Sequence, residues 1–175
     1  MTGNNQGGMM SLSQPFWIEL QDESATTRRL LERLPESGLS WKPHEKSMSL
    51  AHLACHLAAL LQMLNSVLHQ DDFDVASPDF EMPEADSVAG ILELFDQALA
   101  TVVEALKKQP DERILALWRL RMGEKVIFEI PRASAIRSML NHMIHHRGQL
   151  SVYLRLQNVS LPPIYGPTAD ESPQV

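Results

Sequence analysis

The chain has 175 residues and a net charge of -7 at pH 7, with an isoelectric point near 5.4. A chain of this length suits one globular domain, and its acidity argues against nonspecific nucleic-acid binding, which needs a basic surface. The 44% hydrophobic and 21% charged residues are typical of a globular protein that buries a sizeable core.

No segment predicts export or membrane insertion. The first ten residues (MTGNNQGGMM) lack the charged and apolar regions of a signal peptide, and residues 1–12 are predicted to be a flexible tail. No apolar run approaches the roughly 18 residues of a membrane span, and no basic amphipathic segment predicts membrane docking. Cys55 is the single cysteine, so no internal disulfide forms, and we expect an inert thiol in a reducing cytoplasm.

Four segments have the apolar periodicity of long helices. The first covers residues 14–34, and the second begins at Ser47 or Ser49, either of which can cap it, and ends near residue 70. The third covers residues 87–108, and the fourth covers residues 131–157 with proline in its first turn.

The connecting segments differ from one another. Residues 71–83 are acidic and contain two prolines, which predicts a loop. Residues 115–130 alternate apolar and polar side chains around Gly123, which predicts a short β-hairpin packed on the helices. Residues 161–167 are rich in proline and are predicted to lie extended over the helices.

Together these elements predict an all-α four-helix bundle with a short β-hairpin before the last helix. The long connection between the third and fourth helices leaves room for a crossover. We expect one domain over residues 13–175, since there is no internal repeat.

Histidines are concentrated in the fourth predicted helix. His142 and His146 are four residues apart, so they lie one turn apart and about 40° around the axis, beside the apolar stripe. His145 falls on another face. Two imidazoles on one helical face can bind a divalent metal ion, but a catalytic zinc site usually has three protein ligands.

The second predicted helix offers a third ligand. His56 borders its leucine stripe, whereas His52 lies further out, as a neighbour of the site, a solvent-exposed residue or a fourth ligand. His44 and His69 lie in or beside loops and are expected to be solvated. A histidine at a core margin is more often a hydrogen-bonded core residue, so a helical interaction domain without metal stays an alternative.

Two familiar metal motifs are missing. The inner face of the fourth helix carries no carboxylate, which argues against a ferritin-like site with two metals. Met143, Ile144 and His145 separate His142 from His146, so the glutamate of the His-Glu-x-x-His protease motif is absent too.

The same residues carry a family resemblance. Residues 142–155 (HMIHHRGQLSVYLR), followed by 162–167 (PPIYGP), resemble the DinB-like, or YfiT-like, metalloenzymes. These are damage-inducible four-helix proteins, not the DNA polymerase that shares the name. Weaker matches are WKP at 41–43, SMSL at 47–50, LACHL at 53–57 and PRA at 131–133, so the resemblance covers roughly residues 15–171.

The resemblance implies a metal site made of His56, His142 and His146, with zinc or nickel as the ion, and a homodimer. Some related proteins are transferases or isomerases that use a low-molecular-weight thiol. We therefore expect a metal-dependent enzyme, in the first place a thiol S-transferase acting on a small molecule. The alternatives are a metal-dependent hydrolase and a non-enzymatic metal-binding stress-response protein.

Three further residues are candidates for catalysis. Gln149 falls close to His142 on the helical wheel, so it is expected to touch the site. Arg147 lies at the far edge of the apolar stripe, where an ion pair is the stronger expectation. Tyr165 either covers the site or anchors the C-terminal tail, and the second role is favoured.

Overall fold

The computed structural model describes residues 10–77 and 81–172, so most of the predicted tail at residues 1–12 lies outside the described residues. The described helices are α1 (Gln14–Leu31), α2 (Leu50–His69), α3 (Val88–Lys107), α4 (Asp111–Leu115) and α5 (Arg132–Leu156). The strands are β1 (Asp72–Asp74), β2 (Leu117–Met122) and β3 (Lys125–Pro131). The mostly helical fold predicted from the sequence is confirmed.

Local signals in the sequence account for the helix ends. Ser49 caps α2 by accepting a hydrogen bond from the backbone N–H of His52 at 3.2 Å, and Ser87 caps α3 in the same way. Pro15 lies in the first turn of α1, where its missing N–H costs nothing. The four long helices enclose one core, to which α2 contributes most of its leucines.

Hydrogen bonds at the helix ends define the helix directions. At one end, the carboxylate of Glu36 accepts a hydrogen bond from the backbone of Val88 at 3.0 Å, and the carbonyl of Leu39 accepts one from Ala51 at 2.9 Å. Helices α2 and α3 therefore begin at the same end. At the other end, the guanidinium of Arg132, the first residue of α5, donates to the carbonyls of Val67 and Gln70.

It follows that α2 and α3 run parallel and that α5 is antiparallel to both. The crossover expected between the third and fourth long helices lies instead between the second and third. Helix α2 ends at one end of the core and α3 begins at the other, so the segment between them joins opposite ends. A parallel helix pair requires such a return, whereas the hairpin segment joins helix ends that already lie side by side.

The small sheet departs from the prediction in one strand. β2 and β3 form the predicted antiparallel hairpin, with Gly123 in the turn at a φ of 59°, where glycine is favoured. The predicted loop at residues 71–83 contains β1, which pairs parallel with β2. Phe73 is buried. Asp72 accepts a hydrogen bond from Arg121 and Asp74 accepts one from the backbone of Gly123, so the two aspartates belong to the sheet and not to a solvated loop.

Helix α2 contradicts the expectation that no apolar segment approaches the length of a membrane span. Its 20 residues are long and apolar enough to cross a membrane by length and composition alone. Most of its side chains are buried against the other helices, which is typical of the central helix of a helical core.

Candidate metal centre

Three imidazoles from two antiparallel helices meet at one point of the α2–α5 interface. The ring of His56 on α2 lies 5.5 Å from that of His142 and 4.6 Å from that of His146, measured between centroids. The rings of His142 and His146 are 4.6 Å apart, one helical turn along α5. Each residue offers a nitrogen, and the three nitrogens lie within 4.8 Å of one another.

A hydrogen-bond chain orients the two rings of α5. Nδ1 of His146 lies 2.7 Å from the amide oxygen of Gln149, and its Nε2 lies 2.8 Å from Nε2 of His142. Because an amide oxygen can only accept, Nδ1 of His146 carries the proton and donates it. The lone pair of His146 is then on Nε2, directed at the centre of the cluster, and accepts the N–H of His142.

All three rings are held neutral. Burial lowers the pKa of His56 from 6.5 to about 4, with the nearby imidazoles of His146, His142 and His52 acting in the same direction. Burial is also the main cause of the lowered pKa values of His142 and His146, and the hydrogen bond that His146 donates to Gln149 opposes it at His146. Neutral imidazole is the form that binds a metal ion, so the rings need no net deprotonation at pH 7, and only the proton on Nε2 of His142 has to move to Nδ1.

Two further observations indicate that the cluster fits a divalent ion. Nδ1 of His56 is buried and has no hydrogen-bond partner among the described residues, a costly arrangement for a group without a ligand. Two nitrogens bound to one tetrahedral zinc ion lie about 3.3 Å apart, given bonds of about 2.0–2.1 Å. The 2.8 Å between the Nε2 atoms of His142 and His146 needs to widen by only about half an ångström.

No carboxylate takes part in the cluster within residues 10–77 and 81–172. The group of potential ligands contains histidines alone. The charged groups that shift the pKa values of the three rings are also histidines. The centre therefore resembles neither a site with two metals bridged by carboxylates nor a zinc protease site with a glutamate base.

The remaining histidines lie outside the cluster. His145 is exposed, although its ring is 5.0 Å from that of His146, and His52 is exposed one turn before His56. His44 and His69 are exposed as well, and each uses Nδ1 in a local backbone hydrogen bond. Within the cluster, His56 and His142 are only partly buried, so the cluster is partly open to solvent.

An open cleft lies beside α2, and none of the three clustered histidines lines it. It has a volume of about 550 Å³ and lies between α2 and residues 82–86, with His52 and Cys55 on its helical wall and Glu84 and Asp86 opposite. The thiol of Cys55 is buried, and burial raises its pKa, so it is held as the unreactive thiol.

Arg147 and Tyr165 belong to a separate network. The guanidinium of Arg147 is 1% exposed and forms an ion pair with Glu23 of α1 at 2.5 Å. It also donates to the hydroxyl of Tyr165 at 2.6 Å, and that hydroxyl donates to Glu23 at 3.0 Å. The network fixes the C-terminal segment to α1 and α5, and it contains no atom of the histidine cluster.

Sequence reasoning missed Glu23, which joins this network. Its signal was weak, because a single acidic residue on a helix is usually solvated. The available signal was the pairing of two features, namely the acidic Glu23 on the inner face of α1 and Arg147 at the margin of the apolar stripe of α5.

Comparisons with known proteins address the family. A sequence model described as the DinB family matches residues 9–174, nearly the whole chain. The chain belongs to the DinB family.

Individual relatives agree with this assignment. The chain is similar to the uncharacterized protein YrdA of Bacillus subtilis (strain 168), with 28% identity over 152 residues and 85% of each chain covered. It shares its fold with the DinB-like protein YjoA of B. subtilis, at a TM-score of 0.71 and 20% identity over 86% of this chain and 97% of that one. A DinB-like protein from Bacillus cereus ATCC 10987 has a TM-score of 0.69 and 20% identity, over 87% of this chain and 97% of that one.

Proposed function

We propose that this DinB-family protein is a metal-dependent enzyme in which His56, His142 and His146 hold one divalent ion, zinc or nickel. Its favoured reaction is the transfer of a low-molecular-weight thiol to a small electrophilic substrate. The observation that carries the proposal is the convergence of three neutral imidazoles from two helices, with a buried nitrogen of His56 left without a partner.

The number of ligands supports a catalytic rather than a structural site. Structural zinc sites are closed by four protein ligands, whereas catalytic sites have three and keep one position open. A divalent ion held by three imidazoles supplies Lewis acidity that keeps a bound thiol deprotonated, or lowers the pKa of a bound water to about 7.

The protein's own residues perform the remaining tasks. His56 on one helix and the pair on α5 fix the position of the ion, and Gln149 fixes the orientation of His146. We place the small substrate in the cleft beside His52, which lies one turn before His56 on α2. Arg147 and Tyr165 are assigned to holding the fold together, because their polar atoms bond to each other and to Glu23.

Other parts of the assignment follow from the same proposal. The four long helices form a four-helix bundle with a crossover, which their ring of mutual contacts supports. We further infer a cytoplasmic protein that binds neither nucleic acid nor membrane, in keeping with the acidic charge and the single cysteine. We infer a homodimer from the family resemblance.

Metal binding by variants tests the site. His142→Ala and His146→Ala are expected to lower zinc affinity by at least about 100-fold, since removal of even an indirect partner of a ligand costs 10–100-fold. His145→Ala and His52→Ala are matched controls, because both side chains are exposed neighbours on the same helices, and both variants should bind zinc normally. Equal affinity in all four variants, measured by competition with a chelator, contradicts the site.

Turnover assays separate the enzyme from its alternatives. The zinc-loaded and nickel-loaded proteins are expected to consume a thiol together with an electrophile, and His146→Ala is expected to abolish this while His145→Ala retains it. Hydrolysis of esters or amides without thiol consumption favours the hydrolase. Stoichiometric metal binding without either reaction favours the non-enzymatic metal-binding protein.

A further inference from the structure

The residue that orients His146 is an amide. Gln149 follows His146 by three residues on α5, so the two side chains meet on one face of the helix, and the amide oxygen lies 2.7 Å from Nδ1. Histidines that bind metals usually donate this N–H to a carboxylate, a backbone carbonyl or a water. The choice of partner is therefore a property of this chain that can be read from its structure.

The charge of the partner matters for the ion. A carboxylate in this position would add a negative charge beside the imidazole and offset part of the charge of the ion. The oxygen of Gln149 orients the ring without that charge, and no carboxylate contributes to the pKa shifts of the three rings within the described residues. A divalent ion in this centre would keep its full positive charge.

We propose that Gln149 is a positioning residue that makes Nε2 of His146 the ligand atom, and that its neutrality makes the centre select an anionic ligand such as a thiolate. The inference deepens the proposed function and rests on it for the identity of the ligand. The positioning role concerns the tautomer of His146, which can be measured in the metal-free protein. The positioning role and the proposed function can therefore fail separately.

The side chain is suited to substitution. Gln149 is exposed, so its replacement leaves no cavity and does not disturb the core. Gln97 is a matched control, because it is an exposed glutamine on α3 that bonds to Glu93, away from the cluster.

The first experiment is nitrogen-15 NMR of the imidazoles in the metal-free protein. The wild type and Gln97→Leu are expected to show His146 protonated at Nδ1, and Gln149→Leu is expected to show a mixture of tautomers. A wild-type His146 protonated at Nε2, or an unchanged tautomer in Gln149→Leu, overturns the positioning role, whatever the protein does with metal.

The second experiment measures metal and thiol binding. Gln149→Leu is expected to lose 10–100-fold in zinc affinity, while Gln97→Leu keeps the wild-type value. Gln149→Glu restores the hydrogen bond and is expected to bind zinc at least as tightly as the wild type. When cobalt replaces zinc, 2-mercaptoethanol binding is followed by the cobalt–thiolate charge-transfer band. Gln149→Glu is expected to need about tenfold more thiol than the wild type to develop this band, or a higher pH at the same thiol concentration.

The outcomes distinguish the two proposals. Equal thiol binding by Gln149→Glu and the wild type overturns the charge argument. A tautomer that depends on Gln149 in a protein that binds no zinc supports the positioning role and overturns the proposed function. Loss of zinc affinity in Gln97→Leu as large as in Gln149→Leu overturns the assignment to Gln149.

Discussion

Two places along the α2–α5 interface contain contrasting arrangements of buried polar groups. At the end where α5 begins, the fully buried Arg132 donates to the carbonyls of Val67, Gln70 and Arg113 and to the carboxylate of Asp71. Each of the three nitrogens of its guanidinium has a partner, as a buried charge requires. Near the middle of α5, the histidine cluster contains a buried nitrogen of His56 with no partner among the described residues.

The difference separates a structural from a functional polar cluster. The arginine satisfies the carbonyls that the end of α2 leaves unpaired, and it places positive charge at the negative end of the helix dipole. The histidines are desolvated and mutually unfavourable when protonated, so they cost stability until a ligand binds. The pair of helices is therefore stabilised where α5 begins and is kept ready for binding near the middle of α5.

The largest expected effect is at Arg132. Replacement by methionine in Arg132→Met leaves several buried carbonyls without donors and should lower the free energy of unfolding by about 3 kcal/mol. Arg137→Met on the same helix is the control, since Arg137 is partly exposed in its ion pair with Glu19 and should cost less than about 1 kcal/mol. Urea denaturation measures both, and equal losses would remove the structural role of the arginine.

The next effect is the pH dependence of folding stability that the histidine cluster causes. The folded-state pKa of His56 is lowered to about 4 from 6.5, so the unfolded chain takes up the proton first as the pH falls. Its contribution to stability is therefore fully present above about pH 6.5 and is lost towards pH 4. For the metal-free protein we expect a loss on the order of 2 kcal/mol, allowing for partial exposure of the ring.

Comparison with a variant isolates this effect from the titration of carboxylates. The difference in unfolding free energy between the wild type and His56→Leu should change with pH between about 6.5 and 4, and should be constant above that range. A constant difference throughout would mean that His56 is not desolvated in the folded protein.

The smallest effect is the destabilisation of the metal-free protein at neutral pH by the buried imidazole of His56. His56→Leu replaces an unsatisfied imidazole with an apolar side chain of similar size, so the metal-free protein should gain about 1 kcal/mol. Its stabilisation by added zinc should disappear at the same time. His52→Leu, at the exposed position one turn earlier, should change neither quantity. Thermal and urea unfolding with and without zinc provide the measurements, and a destabilised His56→Leu would indicate a packing role.

Local spacing accounts for what the sequence could predict. His142 and His146 share a helical face because they are four residues apart, and the leucine stripe of α2 placed His56 at its border. The caps at Ser49 and Ser87 are also local, as is the turn at Gly123. Each of these depends on residues within one or two turns of the chain.

The misplaced features depend on contacts between distant segments. Parallel packing of α2 and α3 is decided by which helix ends meet, and no local pattern records that choice. β1 exists because β2 lies beside it, so three residues with two aspartates resembled a loop. Nothing in the local sequence marks Arg132 as buried, because its partners come from the far end of α2.

The separation of His56 from His142 along the chain has a consequence for folding. The whole of α3, α4 and the sheet hairpin lies between them, and they meet only after α5 has docked against α2. The complete set of ligands is thus assembled late, and a chain lacking α5 has one of the three. An ion that binds this set reports that the last helix is in place, and at 100 times its Kd it adds about 2.7 kcal/mol to the stability of the finished domain.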